Sequence, residues 1–347
     1  VGGIGVLAAG LFPETGVKDG SCGAIPGTRH KVSWTTPPQA QVMLAMEENN
    51  GGPCFADPRH ILANVLAAYA KEDLTPVVAA ELEFYLVDSK RDERGYLQPP
   101  LSPRTGQRIN APQLYSIDEI EDFGGVLGDI NRFCHEQKIP ADAALSENGP
   151  GQYEINLVHV PDALLAADHA ALMKRVTRCA ARRHGMEATF MAKPYGDCSG
   201  SGMHVHFSIL DKNGKNIFAG KDSKGAPALL HALGGLLKTM PDCTALFAPN
   251  LNSYRRLQAR KIIAWGYDNR FASLRIPASD LAATRIEPRV SGADANPYLI
   301  IAAILAGALE GILTKADAGA PLSGGADNAM AQYLPTSWDV ALDNFKN

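Results

Sequence analysis

Along this chain apolar residues recur with two periods, that of a helix and that of a strand. Asp57-Pro58 sets an N-cap residue before a proline at the first helical position, and predicts a helix to about Lys71. Ser116-Ile-Asp-Glu119 reads as a capping box, and behind it Ile120, Phe123, Leu127, Ile130 and Cys134 recur at helical spacing. A further helix starts near Asp162 and stops at Gly185, which follows Arg182-Arg183-His184 as a C′ residue should. Two more cover about 226–240 and 297–314. The last contains the longest apolar stretch, Tyr298 to Leu313, which is 16 residues long and interrupted by Glu310. That is short for a membrane span and suits a buried helix. Residues 1–52 are rich in Gly and Pro and carry short β-type runs such as Gln41-Val-Met-Leu-Ala-Met46. They are read as a small β-rich piece, with a domain boundary near Gly51-Gly52-Pro53. Strands and a turn at Asp211-Lys-Asn-Gly214 fill the spaces between helices. They are not strictly interleaved with helices, so the expected class is α+β with an antiparallel sheet.

Four strand-like segments share one feature. Side chains of a strand point to alternate faces, so residues two apart share a face. In Val77–Leu86, Glu81 and Glu83 oppose Leu82 and Phe84. In Gln152–Leu157, Gln152, Glu154 and Asn156 oppose Tyr153, Ile155 and Leu157. In Met203–Ile209, His204, His206 and Ser208 oppose Met203, Val205, Phe207 and Ile209. In Arg285–Val290, Arg285, Glu287 and Arg289 oppose Ile286, Pro288 and Val290. A half-buried antiparallel sheet with one face in water is the plain account of any one of these. Solvated strand faces favour Thr and Lys, and these four polar faces hold neither.

Converging carboxylates repel one another unless cations sit among them. Glu81, Glu83, Glu147, Glu154 and Glu287 with the imidazole of His204 suit Mg²⁺ or Mn²⁺, which prefer hard oxygen ligands. Arg256, Arg270, Arg275, Arg285 and Arg289 supply guanidinium forks for an anionic substrate. Metals with an arginine cluster are equipment for phosphoryl transfer from a nucleotide. Gly149-Pro-Gly-Gln152 turns the chain before Glu154, and Ser199-Gly-Ser-Gly202 leads into His204 with a backbone that a ligand can approach. No P-loop occurs, and Gly3-Ile-Gly5-Val-Leu-Ala8 matches the dinucleotide fingerprint only loosely, without a strand before it.

Composition narrows the partners. In 347 residues, 33 Lys and Arg stand against 37 Asp and Glu, a net charge of −4, which lacks the footprint of a nucleic-acid or membrane binder. The 46% hydrophobic content provides a sizeable core. Six cysteines (Cys22, Cys54, Cys134, Cys179, Cys198 and Cys243) lie far apart without a C-x-x-C spacing, and are read as free thiols in a reducing compartment. The apolar run that follows Val1 has no basic n-region, so it is not read as a secretory signal.

Seven segments in order resemble the glutamine synthetase family. They are Ala80-Glu-Leu-Glu-Phe84, Glu147-Asn-Gly-Pro-Gly-Gln-Tyr-Glu154, Gly200-Ser-Gly-Met-His-Val-His206, Asn252-Ser-Tyr-Arg-Arg256, Asn269-Arg-Phe-Ala-Ser-Leu-Arg-Ile-Pro277, Arg285-Ile-Glu-Pro-Arg289 and Asn296-Pro-Tyr298. Gln113-Leu-Tyr-Ser-Ile-Asp118, Ala188–Tyr195 and Ala264-Trp-Gly-Tyr-Asp-Asn269 are similar to the γ-glutamylpolyamine synthetase branch. The resemblance implies an N-terminal β-grasp piece over 1–52, and a catalytic domain over 53–347 whose curved antiparallel sheet is flanked by helices. It implies an ATP-dependent ligase that joins the γ-carboxylate of glutamate to an amine, through a γ-glutamyl phosphate. The alternatives are an ammonia-using glutamine synthetase and a catalytically silent relative.

By the same resemblance two or three Mg²⁺ or Mn²⁺ ions serve each site. Glu83, Glu147 and Glu154 hold the metal near glutamate, and Glu81, His204 and Glu287 the metal on the ATP phosphates. His206, Ser208 and Arg285 contact ATP; Gly200, Arg256 and Arg289 hold glutamate; Arg270 and Arg275, with Glu287, serve the transferring phosphoryl group. A cytoplasmic homo-oligomer is implied, a dodecamer of two hexameric rings. Two departures stand out. Ser199 occupies a place where glutamine-forming members often carry Asn, and the segment Leu257–Ile262 is several residues shorter than the family's site-closing loop. Missing residues, rather than a true deletion, are expected to account for the short loop.

Overall fold

The computed structural model describes residues 21–48, 50–111, 114–258, 262–325 and 332–346. The fingerprint-like Gly3–Ala8, the apolar start and most of the short segment after Leu257 lie outside the described residues. Two small antiparallel hairpins come first: β1 (Ser21–Ala24) pairs with β4 (Leu44–Glu47), and β2 (His30–Val32) with β3 (Gln39–Gln41). The run expected over Gln41–Met46 is thus split at Val42 and Met43, where the Met43 N–H donates to Thr28 Oγ1 instead of a strand partner. Then follow α1 (Pro58–Lys71), β5 (Thr75–Asp88), α2 (Ile117–Asp122), α3 (Gly124–Glu136), β6 (Ala141–Ser146), β7 (Gln152–Leu157), α4 (Ala163–Arg183), β8 (Met186–Thr189) and β9 (Met203–Leu210). The chain continues through α5 (Pro227–Thr239), α6 (Thr244–Phe247), α7 (Leu251–Leu257), β10 (Ile262–Ile263), β11 (Trp265–Tyr267), β12 (Leu274–Ile276), β13 (Glu287–Pro288), α8 (Pro297–Thr314), β14 (Gln332–Tyr333) and α9 (Trp338–Lys346).

The caps explain most helix boundaries. Asp57 accepts from the Arg59 N–H and Asp162 from the Leu165 N–H, as the sequence predicts. Gly185 takes φ 71° after α4, the left-handed conformation that ends a helix. The helix expected behind Ser116 divides in two. Ser116 caps α2, but Glu119 turns inward to accept from the Tyr153 hydroxyl and does not close the box. The chain leaves helical geometry at Phe123, before Gly124-Gly125, which have little helix preference.

The 14-residue strand β5 organises the molecule. One edge pairs with β7 (Glu81↔Asn156, Glu83↔Glu154), and β6 continues beyond it. The other edge pairs with β9 (Thr75↔Leu210 through Leu82↔Met203) and then with β8 (Tyr85↔Thr189). Every pair in this sheet is antiparallel. β9 then meets the β13 segment through the Phe207↔Ile286 bridge, and β13 pairs with β12. The parallel pair β11–β12 departs from the expected antiparallel order, because the chain returns beside itself within residues 268–273.

Val78, Ala80, Leu82, Phe84 and Leu86 fill the apolar face of β5, with Val205, Phe207 and Ile209 of β9 beside them. Helices α1 and α4 pack on that strand, and α8 packs between α1, α4 and α5. Asp168 of α4 ties three helices, accepting from both Arg59 Nε and Nη2 at 3.1 Å and from the Tyr298 hydroxyl at 2.7 Å. The N-terminal hairpins dock on α3 and α4 through Trp34, whose ring lies 5.3 Å from that of Phe133, and through the Gln41–Gln137 hydrogen bond.

Where α5 crosses α8, glycines let the backbones touch. A Cβ on Gly235 would run into the Gly307 carbonyl and the Gly311 backbone. Gly235→Ala is therefore expected to lower unfolding free energy by about 1–3 kcal/mol through overpacking. A denaturant titration checks this; an unchanged midpoint would contradict the close crossing.

Candidate active site

The face of β5 opposite the core carries Glu81 and Glu83, and the strand register assembles the rest around them. His204 stands directly across from Glu81 on β9, and His206 across from Ala79 one rung along. Glu154 stands across from Glu83, and Asn156 across from Glu81, on β7. Antiparallel partners that oppose one another share a face, so the alternation read from sequence holds on all three strands. Glu287 arrives from β13, beside the Phe207↔Ile286 bridge.

These groups lie within contact distance. Glu81 places Oε2 at 3.2 Å from His204 Nδ1 and Oε1 at 2.8 Å from His206 Nε2. Glu287 Oε1 is 3.8 Å from His204 Nδ1 and 3.9 Å from His206 Nε2. Glu83 Oε1 is 3.8 Å from His204 Nε2, and its other oxygen accepts the Gly202 N–H at 2.7 Å. Glu147 follows β6 and donates its N–H to Gln152 O across the tight 147–152 turn.

Arginines enclose the cluster. Glu287 is fully buried and pairs with Arg275 Nη1 at 2.7 Å and with Arg289. Arg285 Nε donates to His206 Nδ1 at 3.1 Å. Arg270 stands farther out, exposed, with Nη1 donating to the Tyr115 hydroxyl at 3.3 Å. Arg256 is buried and donates to Val290 O at 2.7 Å and to Arg289 O at 3.4 Å. Gly200 has no room for a side chain, since a Cβ there would lie 2.6 Å from both Ala192 O and Arg256 Cγ. Ser208 sits on the same face of β9, across from Val77.

The structure thus brings Glu81, Glu83, Glu154, Glu287, His204, His206, Arg275, Arg285 and Arg289 together as neighbours. Sequence reasoning missed four residues. Asn269 braces the Arg270 loop by donating to Leu322 O and Gly324 O. Tyr115 and Asp268 hold arginines. His159 lies with its ring 5.9 Å from that of His206. Strict alternation from Glu154 puts His159 on the wrong face, and β7 ends at Leu157 before that parity applies.

The charge state of the cluster points to cations. Burial alone would raise Glu81, but hydrogen bonds from His204 and His206 outweigh it and hold the carboxyl well below the usual range. Burial, then the charges of Glu81, Glu83 and Glu147, push Glu154 far up. Burial and then Glu83 push Glu147 to about 7. Burial and then Arg289 lower His204, which keeps it neutral and fit to ligate. His204 Nε2 and Asn156 Oδ1 are buried without a hydrogen-bond partner. Ligand atoms gather within 4.8 Å in two groups, Glu81–His206–Glu287 and Glu81–Glu154–His204. His204 and His206 both contact Glu81 and both lie within 4 Å of Glu287 Oε1, so His206 joins the residues the resemblance implies around Glu81 and Glu287. Oxygen-rich donors with neutral imidazoles suit hard divalent ions.

A divalent ion held by Glu147 and Glu154 would displace protons from them, since the histidine at the centre is already neutral. A carboxyl raised by the fold is protonated below its folded pKa, so affinity for Mg²⁺ or Mn²⁺ should rise with pH through about 7. Titration calorimetry in buffers of different ionisation heat should show proton release at pH 6.5. Uptake of protons, or an affinity flat from pH 6 to 8, would contradict this charge assignment.

The profile of the family "Glutamine synthetase, catalytic domain" matches residues 55–347. γ-Glutamylputrescine synthetase PuuA of Escherichia coli (strain K12) is 44% identical over 311 residues, which cover 88% of this chain and 66% of that protein. Glutamate–isopropylamine ligase of Pseudomonas sp is 34% identical, over 88% of this chain and 68% of that protein. The chain spans about two thirds of the length of the curated relatives it matches. Among solved structures, GmaS without ligand superposes with a TM-score of 0.86 at 30% identity, over 97% of this chain and 78% of that one.

Proposed function

This chain belongs to the glutamine synthetase family, and from that premise we propose that it is an ATP-dependent ligase joining the γ-carboxylate of glutamate to an amine. The observation that carries the reading is the single face on which Glu81, Glu83, Glu154, Glu287, His204 and His206 converge beneath Arg275, Arg285 and Arg289. In this reading Glu83, Glu147 and Glu154 bind the metal nearer glutamate, and Glu81, His204 and Glu287 the metal nearer the phosphates. His206 is a further candidate ligand, supported by its place in the group with Glu81 and Glu287. Mg²⁺ or Mn²⁺ would supply Lewis-acid stabilisation of the phosphoryl oxygens.

The chain's own residues do the rest. His206, Ser208 and Arg285 line the proposed ATP side. Gly200, Arg256 and Arg289 line the proposed glutamate side, where the buried Arg256 also braces the Arg289-Val290 backbone that follows β13. Arg270 and Arg275 spread the charge of the transferring group. A γ-carboxylate oxygen attacks the γ-phosphorus and ADP departs. The amine nitrogen then attacks the acyl carbon, phosphate departs with that oxygen, and the nitrogen gives up one proton, which balances as hydrogen phosphate. Relatives named for putrescine and isopropylamine favour an organic amine or polyamine over ammonia. The reading includes a cytoplasmic homo-oligomer of two hexameric rings, and α8, the one described helix long and apolar enough to cross a membrane, is packed against α1, α4 and α5.

Phosphate release from ATP, with Mg²⁺ and glutamate, should be driven by one organic amine far above ammonia in a panel of putrescine, spermidine, ethanolamine, isopropylamine and ammonia. Best release with ammonia would make the protein a glutamine synthetase, and silence across the panel would contradict the ligase reading. Glu287→Gln should lower turnover by roughly 100-fold or more, because a metal-binding carboxylate is lost. Gln keeps an acceptor for Arg275 and Arg289, whereas Ala would leave two guanidiniums without their counter-charge. Near-normal turnover of the Gln variant would remove Glu287 from the machinery.

A further inference from the structure

Five described residues other than glycine adopt positive φ: Asp73, Tyr115, Lys138, Asp268 and Lys315. Three have an ordinary cause. Asp73 follows α1, Lys138 follows α3 and Lys315 caps α8, and a left-handed residue commonly ends a helix. Tyr115 (φ 58°) and Asp268 (φ 44°) follow no helix. A bulky tyrosine in this region is an outlier, and such conformations persist only where surrounding contacts impose them.

Both residues end on an arginine of the candidate site. Asp268 Oδ1 accepts from Arg275 Nε at 3.1 Å and from Nη2 at 2.5 Å, and the third arm of the same guanidinium, Nη1, reaches Glu287 at 2.7 Å. The Tyr115 hydroxyl accepts from Arg270 Nη1 at 3.3 Å. The backbone holds each in place: the Asp268 N–H donates to Ile276 O at 2.8 Å and the Tyr115 N–H to Ser146 O at 3.0 Å. Asp268 thus hangs from the strand that bears Arg275, and Tyr115 from the residue next to Glu147. Arg270 and Arg275 share an open cleft of about 830 Å³ with Asp268, Phe271 and Leu322.

We propose that Asp268 and Tyr115 are positioning residues, which fix the forks of Arg275 and Arg270 before substrate arrives and so set the rate of phosphoryl transfer. This rests on the phosphoryl-transfer reading above. A free arginine samples many rotamers; Arg275, tied by Asp268 and Glu287, and Arg270, held through Nη1 by Tyr115, sample fewer before the phosphoryl group passes. Asp268 has a second effect, since its charge offsets part of that on Arg275 and leaves Glu287 with more of its own.

Glycine and asparagine both tolerate the left-handed conformation, so Asp268→Gly and Asp268→Asn change the side chain without straining the turn. Asp268→Gly should lower kcat by between about tenfold and 100-fold, with little change in the KM for glutamate and no loss of melting temperature. Asp268→Asn, which keeps an oxygen acceptor, should recover part of that loss. Tyr115→Phe should lower kcat severalfold at unchanged KM. A role confined to turn geometry predicts wild-type kcat in the Asp268 variants, and that result would overturn the assignment of Asp268. Wild-type kcat in Tyr115→Phe would overturn that of Tyr115. A crystal structure of Asp268→Gly gives a readout independent of turnover: Arg275 Nε and Nη2 should leave the positions they hold beside residue 268, and an unmoved guanidinium would overturn the proposal. Absence of glutamate-dependent turnover in the wild-type protein would defeat the parent reading instead, and the crystallographic result would still decide whether Asp268 positions Arg275.

Discussion

Glu81 and Glu83 lie two residues apart on one strand, so the pleat directs both carboxylates to the same face. The register with β7 then sets Glu154 opposite Glu83, and the register with β9 sets His204 opposite Glu81. Acidic groups crowded in this way on a dry surface cannot all ionise alone. Burial and then mutual repulsion appear in the raised carboxyls of Glu147 and Glu154, and relief in the paired carboxyl of Glu287. The arrangement is stable only with compensating positive charge. Part of it is built in as Arg275 and Arg289; divalent cations would supply the remainder.

Holding that face open requires a rigid back. Leu82 and Phe84 alternate with the two carboxylates of β5 and are fully buried, so the same strand that exposes its acids also anchors them in the core. A slip of one residue between β5 and its neighbours would put the carboxylates among α1 and α4 and the apolar residues into the cleft. The register is therefore fixed by the core, and the geometry of the site follows from it. Asp168, tying α1, α4 and α8 through Arg59 and Tyr298, secures the helical layer on which the sheet rests.

Much of this was legible in the sequence because strand alternation is a local property. Glu81 and Glu83, His204 and His206, and Glu287 and Arg289 announce a shared face by spacing alone, and the seven segments in order carried the family resemblance. The open capping box at Ser116 was not legible, because Glu119 prefers the buried Tyr153 hydroxyl to its own helix terminus, a tertiary choice. The approach of Glu287 to both His204 and His206 depends on how β13 docks beside β9, which no local pattern records. Tyr115 and Asp268 carry no periodic signal at all. Their role becomes visible only when backbone conformation and arginine contacts are read together.

The central claim is that this face transfers a phosphoryl group to the γ-carboxylate of glutamate. Glutamate labelled with ¹⁸O in that carboxylate, incubated with ATP, Mg²⁺ and the preferred amine, tests it most directly. The account predicts that each phosphate released carries one labelled oxygen, because the carboxylate oxygen leaves on phosphorus. Phosphate released without label, at a rate matching turnover, would show that water rather than glutamate accepts the phosphoryl group and would contradict the claim.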